Sequence, residues 1–392
     1  MIRKIYRILR AHVLHYVIPQ SKAALFPAGK TAVEVVGFFH SPSGIGESAR
    51  LCAKQLQQNG YKVLCTSIEN AFLKPKEMDW DFADNATAEE IGCRIIHLNP
   101  SMMPPMALKM GLKRYASVFN IGYWAWELER IPAEWERALR YVNAIFCPSE
   151  FTSKAIRHYT QKPVITVPHP VFADAATTGM REKLDVADST FLVASVFSFG
   201  SALERKNPHA LIDAFQQAFS EDDDACLILK SNHGGDSPDK KLLLERMKSH
   251  KNIRIIDDVW DKADVLGLIK AADIYASLHR SEGFGLPIAE AMRQGTAPMV
   301  TNWSGNVDFC THENSFLIDY RMVALQSEHA EFKALTNLQW ADANAEHAAT
   351  LLRQAFENRE ILQQKADACL LHTNAYFSEP GYVRALSALN AK

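Results

Sequence analysis

No C-x-x-C pair occurs in this 392-residue chain, and its seven cysteines, at 52, 65, 93, 147, 226, 310 and 369, are scattered and odd in number. That excludes a disulfide framework and a thiolate zinc site, and fits a reducing cytoplasm. Histidine offers no metal-ligand spacing with cysteine or acid partners either, and His12 and His15 fall in a basic N-terminal stretch. Neither G-x-x-x-x-G-K-[ST] nor G-x-S-x-G is present, which removes a P-loop and a hydrolase nucleophile elbow. Charge of one sign is lacking too: 43 Lys and Arg stand against 45 Asp and Glu, a formal net charge of -2 that gives no bulk attraction to nucleic acid. Internal repeats and low-complexity tracts are also absent.

What is present is ordinary globular material, 47% hydrophobic and 10% aromatic. Its length predicts two domains of about 170 to 200 residues, each with its own core. The N-terminus MIRKIYRILRAHVLHYVIP places Arg3, Lys4, Arg7 and Arg10 among Ile2, Ile5, Tyr6, Leu9, Val13 and Val17 at helical spacing. The four cations rule out a transmembrane span or a secretory h-region, and Pro19 ends the pattern. A basic amphipathic helix over residues 1–20 is expected, lying on an anionic bilayer or packed on its own domain.

Apolar runs then alternate with helical stretches: 33–39, 61–68, 94–99, 118–124, 143–149 and 163–171, with helices near 46–59, 132–141 and 150–159. The prolines of PVITVPHPV mark a chain leaving its domain, with a boundary near 172–188. The grammar restarts with strands at 191–199, 225–230, 252–257, 273–278 and 297–301, and helices at 207–219, 238–249 and 262–271. These runs are apolar without alternation, as strands covered on both faces are. The expectation is an α/β chain of two Rossmann-like doubly wound domains facing a cleft, 21–180 and 181–372. The last hundred residues read as helical, including QWADANAEHAATLLRQAF.

Four strand-end loops carry the chemistry. SEGFGLPIAEAM (281–292) sets Glu282 on a glycine-rich loop and Glu290 in the helix that Pro287 opens; the helix N-terminus holds phosphate well, and the two carboxylates can accept hydroxyl hydrogen bonds. In GSALERKNPHA, Arg205 and Lys206 precede a helix start at Asn207 and Pro208, where two cations can neutralise a departing diphosphate without metal. In HSPSGIGESAR, Gly44 and Gly46 allow close backbone approach to a phosphate or sugar. With Ala49 and Glu69 they also satisfy a dinucleotide fingerprint, although Ser-Pro-Ser separates Gly44 from the strand, which disfavours NAD. In NIGYWAWELERIP, Tyr123, Trp124 and Trp126 surround Glu127, a candidate acceptor-side base, with core packing expected for at least one tryptophan. The D-x-D spacing of Asp222 and Asp224 precedes a strand, the wrong end for a metal site.

Glu282 to Glu290 with its surroundings, LHRSEGFGLPIAEAMRQGTAPMVTNWSGNVDF, resembles the E-x7-E region of retaining glycosyltransferases of family 4 with the GT-B fold. GIGESAR, GYWAWELERIPAEW, CPSEFT and RKNP fall in the family's order, so the resemblance spans roughly residues 33–385. It implies that Glu282 contacts donor-sugar hydroxyls, that Glu290 contacts the ribose, and that the backbone of Gly283, Phe284, Gly285 and Leu286 faces the diphosphate. Lys206 matches the family's phosphate-binding lysine and Gly46 its first-domain glycine loop, while Arg205 only approximates the family's arginine. Many members carry a histidine in the loop matched by 120–127, where this chain has aromatics and Glu127. The resemblance further implies a last helix, 373–392, returning to the first domain. It also implies a nucleotide-sugar donor, with mannose from GDP-mannose favoured, no metal or other cofactor, and a saccharide or lipid-linked saccharide acceptor of surface polysaccharide synthesis at the cytoplasmic membrane face. A glycoside hydrolase would also use paired acids, but flanking a scissile bond and without nucleotide. A non-catalytic saccharide-binding protein is the alternative from another class.

Overall fold

The structure is a computed structural model that describes residues 17–21, 25–27, 32–333 and 335–391. The basic stretch expected as a helix lies almost wholly outside these. The chain forms two compact units, Met1–Pro170 with Glu379–Lys392, and Val171–Ser378.

The first unit is built on a six-stranded sheet whose pairs all run parallel: β1 (Ala32–Gly37), β2 (Val63–Ser67), β3 (Ile91–Ile96), β4 (Phe119–Tyr123), β5 (Ala144–Cys147) and β6 (Val164–Thr166), in the order β2-β1-β3-β4-β5-β6. β6 is shorter than the apolar run 163–171, because Pro168 and Pro170 carry no N–H to continue a ladder. The final helix, Gly381–Asn390, packs on helix Gly44–Gln58 of this unit. Its Tyr382 is buried in the same core as Val33, Cys52 and Tyr123, and the Tyr382 N–H donates to Gln55 Oε1 at 3.0 Å. One charge cluster is buried with the sheet: Glu34 accepts from Arg94 Nε at 2.7 Å, Arg114 Nη2 at 2.6 Å and Thr66 Oγ1 at 2.6 Å. Such a pair survives burial because its oxygens are all hydrogen-bonded.

The second unit repeats the plan with β7 (Phe191–Val196), β8 (Ala225–Ser231), β9 (Ile253–Asp257), β10 (Ile274–Ser277), β11 (Ala297–Thr301) and β12 (Phe316–Ile318), again parallel, in the order β12-β11-β10-β7-β8-β9. Its unalternated sequence is explained by cover on both faces. Phe191 and Val193 of β7 and Leu227 and Leu229 of β8 enter one core cluster, while Leu192, Ala194, Cys226 and Ile228 enter another on the opposite face. Burying each Leu, Ile or Val contributes about 1.5–3 kcal/mol.

The region after 292 is not all helical. Besides β12, an antiparallel pair forms from β13 (Tyr320–Ala324) and β14 (Gln339–Ala343), so QWADA is a strand that the helical reading absorbed. Trp340 is buried there beneath the Arg280 guanidinium, and the helix starts only after Asn344, whose side chain accepts from His347 N. Tertiary pairing overrode a local pattern that suits a helix. All seven cysteines are free, and all but Cys65 are buried as small apolar residues.

Candidate active site

Three loops leave the carboxyl ends of β7, β10 and β11 and meet around one carboxylate. The first enters a short helix, Leu203–Lys206, which stops at Asn207 in the left-handed conformation (φ 50°) before Pro208 opens the next helix, Pro208–Ala218. Asn207 Nδ2 donates to Leu278 O at 3.0 Å, Arg280 N to Arg205 O at 2.7 Å, and Arg205 Nη1 to Ser281 O at 3.0 Å, so the β7 and β10 loops are bolted together. The result brings Lys206 Nζ to 2.5 Å and Arg205 Nη1 to 3.1 Å from the same oxygen, Glu282 Oε1.

The β11 loop fixes Glu282 from the other side. Glu282 N donates to Ser304 Oγ at 2.8 Å, and Gly305 N donates to Glu282 O at 2.9 Å. A Cβ on Gly305 would stand 2.4 Å from Gly283 O, so only glycine allows this approach. Gly285 adopts φ 90°, a conformation that also favours glycine, and ends the loop at helix Leu286–Arg293. Phe284 turns its ring into the core against Phe309, at 5.0 Å between centroids.

Glu282 is 8% exposed. Burial pushes its pKa up, but the charges of Lys206 and Arg205 outweigh that and bring it down to about 2. The group is therefore an anion throughout the neutral range and accepts hydrogen bonds only. His279, fully buried behind it, is held down to about 4, chiefly by burial and by the neighbouring Lys206 and Arg205 charges against the pull of Glu282. Glu290 is buried on helix Leu286–Arg293 and is ion-paired with Lys262, the first residue of helix Lys262–Ala271. Tyr275 sits in the field of both acids: burial, then Glu282 and Glu290, raise its pKa.

Lys206, Arg205, Glu282, Glu290 and the Gly283–Leu286 backbone thus come from adjacent segments of one sheet edge. Sequence reading placed His279 just before the Glu282 loop but missed Ser304, Gly305 and Lys262. Gly305 lay in the WSGNVDF segment, but its distance in sequence from Glu282 hid the contact.

In the first unit, Gly44 and Gly46 are part of helix Gly44–Gln58 rather than of a loop before it. Ser43 Oγ caps Gly46 N at 3.3 Å, and a Cβ on Gly46 would lie 2.5 Å from Phe38 O and 2.6 Å from Ser41 O. Gly46 is therefore required by packing. Glu69, the acid of the dinucleotide reading, is buried and accepts from His40 N at 2.7 Å and from Ser67 Oγ. Its carboxylate is spent on the loop, and NAD gains no support. Glu127 is half-buried, while Trp124 and Trp126 are in the core with Trp135, at 6.1 and 4.7 Å between ring centroids.

A histidine pair appears at the carboxyl edge of this sheet instead. His97 follows β3, its Nδ1 2.7 Å from Ser48 Oγ and its ring stacked on Tyr123 at 4.7 Å; Tyr123 Oη lies 3.1 Å from His169 Nδ1. Burial holds both rings below the usual histidine range, His169 at about 4. Asp224, of the D-x-D pair, accepts from Thr190 Oγ1 at 2.6 Å and Ser189 Oγ at 2.9 Å at the amino edge of β8. Among the described residues no three His, Cys, Asp or Glu side chains are placed to hold a metal ion. No helix among them is long and apolar enough to cross a membrane.

Residues 190–332, which contain Lys206, Glu282 and Glu290, match the family model of glycosyl transferases group 1. The fold is similar to that of a glycosyltransferase from Rickettsia africae at TM-score 0.65, with 13% identity over 93% of this chain and 98% of that one. It is similar to HepE of Anabaena, solved with UDP-glucose, at TM-score 0.64, with 14% identity over 92% of this chain and 97% of that one. WaaG, a glycosyltransferase involved in lipopolysaccharide biosynthesis, gives TM-score 0.61 and 14% identity over 92% of this chain and all of that one (100%). A comparison with curated protein sequences finds no match. With a group 1 domain over residues 190–332 and two parallel sheets in the GT-B arrangement of strands, the chain is a glycosyltransferase enzyme.

Proposed function

We propose that the protein moves a hexose from a nucleotide-sugar to a saccharide or lipid-linked saccharide, with retention at the anomeric carbon and without a metal ion. The observation that carries this reading is the Lys206–Glu282–Arg205 cluster, two cations on one buried carboxylate beside a helix start. Glu282 is ionised and rigid, suited to accept hydrogen bonds from donor-sugar hydroxyls. Lys206 and Arg205 are placed to take up the charge that grows on a departing diphosphate, with the N–H groups opening helix Leu286–Arg293 as further donors. The acceptor oxygen then forms its bond to the anomeric carbon on the face from which the diphosphate leaves, and the diphosphate takes the acceptor proton. Glu290, released from Lys262, would meet the ribose hydroxyls.

Two donors come into consideration. GDP-mannose follows from the sequence resemblance, whereas HepE was solved with UDP-glucose, which favours a uridine donor. The acceptor reading, a surface polysaccharide or lipid-linked oligosaccharide built at the cytoplasmic membrane face, is supported by the likeness to WaaG. Glu127 is retained as an acceptor-side candidate, with His97 as its rival at the same sheet edge.

Thermal stabilisation by GDP, UDP, ADP and NAD tests the donor class. The expected result is a shift with one nucleoside diphosphate that Glu290→Ala weakens. A shift with NAD alone would overturn the reading, and no shift with any of the four would favour a non-catalytic saccharide-binding protein.

A further inference from the structure

Past Glu282, on the β12 side of the second unit's sheet, stands an aromatic pair. Trp303 follows β11, Tyr320 opens β13, and their rings lie 5.4 Å apart between centroids at an interplanar angle of 50°. Both residues are half-buried, and neither enters the core clusters that hold Phe191 and Phe284. Both are tied to the segment that carries Glu282. On the Trp303 side, Ser304 Oγ accepts from Glu282 N and Gly305 N donates to Glu282 O. On the Tyr320 side, β13 pairs with β14, whose Ala341 N donates to Arg280 O at 3.0 Å and whose Asp342 accepts from Arg280 Nε at 3.1 Å and Nη2 at 2.9 Å. The turn that presents Trp303 is strained: Ser304 takes φ 75°, a left-handed conformation rare for a residue with a side chain, and Trp303 N donates to Thr301 O at 2.8 Å. Strain of this kind persists where surrounding contacts over-determine it, as the Glu282 contacts do here. Asn302 N closes the loop on Ile318 O at 3.0 Å, at the end of β12.

The sheet order β12-β11-β10-β7-β8-β9 sets the strand-end residues in a row: Lys206 after β7, Glu282 after β10, Trp303 after β11 and Tyr320 after β12. In the reading above, the diphosphate lies at Lys206 and the transferred hexose at Glu282. Neighbouring strands stand about 4.8 Å apart, so the aromatic pair lies one to two strand spacings, about 5–10 Å, beyond Glu282 on the side away from the diphosphate. A sugar held there is not the one transferred. Half-exposed aromatic rings stack on the apolar faces of sugars, whose C–H groups meet the negative ring face. Asp319 and Arg321 flank Tyr320 with side chains 75% and 81% exposed, an acceptor and a donor for hydroxyls at the rim. We propose that Trp303 and Tyr320 form a saccharide subsite for the acceptor, which holds a ring beyond the one bearing the attacking hydroxyl, so that an oligosaccharide is taken in preference to a monosaccharide. The inference rests on the donor placement of the proposed function and adds to it the side chains that select the acceptor.

The test is calorimetric titration of the full chain, alone and with UDP or GDP present, using methyl α-mannoside, methyl α-glucoside, α-linked mannobiose and maltose as probes. Wild type should bind one of the disaccharides about tenfold more tightly than the matching monosaccharide, and Trp303→Ala should remove that excess while melting as wild type does. Tyr320→Ala should reduce it in the same direction, and is read in its place if Trp303→Ala fails to fold. A ratio of disaccharide to monosaccharide affinity that neither variant moves would overturn the proposal, as would a wild type that binds no disaccharide better than its monosaccharide. Equal weakening of both sugars would put the pair at the transferred hexose and overturn its assignment to the acceptor. The donor reading is judged separately, by the thermal shift with UDP or GDP. A chain that responds to neither nucleotide and yet shows the Trp303-dependent excess keeps the subsite and loses the donor reading.

Discussion

Lys206 Nζ lies 2.5 Å from Glu282 Oε1 although 76 positions separate the two residues in the chain. The pair joins the loop after β7 to the loop after β10, and Arg205 completes it at 3.1 Å. Two cations meeting on one buried carboxylate hold it ionised and fix its position between the two loops.

Replacing Lys206 by Ala should lower kcat about 10²–10³-fold, the usual cost of one preorganised charge-stabilising donor. Arg205 keeps Glu282 paired, so the melting temperature should fall little. Steady-state kinetics beside a melting curve checks this, and unchanged kcat would remove Lys206 from the site.

Glu282→Gln should lose most turnover and yet fold, and its acid sensitivity should differ from wild type. The folded pKa of Glu282, about 2, lies below its ordinary 4.5, so the ion pair stabilises fully above pH 4.5 and that contribution is lost as pH falls towards 2. The drop corresponds to at most about 3 kcal/mol. Urea denaturation across that window should show the wild-type advantage over Glu282→Gln shrinking as pH falls; a constant difference would contradict the assigned ion pair.

The histidine pair acts higher in pH. His169 is neutral in the fold, with its pKa at about 4 against an ordinary 6.5, so the fold is favoured above pH 6.5 and loses stability as pH drops through that value towards 4. His97 shifts in the same direction, also through burial. Stability of the first unit should decline over this window, and His169→Asn should flatten the decline measured by thermal denaturation against pH.

Gly305→Ala puts a methyl group 2.4 Å from Gly283 O, a backbone atom that yields only by moving the Glu282 loop. A stability loss of about 1–3 kcal/mol and a larger loss of kcat are expected. Gly44→Ala, where a Cβ meets nothing within 4 Å, should leave stability near wild type and serves as the control.

Much of the fold was legible because the information is local. Unbroken apolar runs mark strands covered on both faces, and Pro208 and Pro287 mark helix starts. β14 was not legible, since QWADA also suits a helix and becomes a strand only through its pairing with β13. Within the site, Glu282, Glu290, Arg205 and Lys206 were readable as charged residues at strand ends, and their order matched a family pattern. Ser304 and Gly305 were not, because their service to Glu282 is a backbone contact across loops.

The sequence by itself determined the alternation of strands and helices, the two-domain plan and the residue types at the donor site, since propensity and apolar burial act over a few neighbouring positions. Only the tertiary structure decided that Arg205 and Lys206 converge on one oxygen of Glu282, that Lys262 holds Glu290, and that Gly46 answers to packing. Electrostatic pairing and close backbone approach act through space at a few ångströms, and that proximity exists only once the sheet has set its strand order.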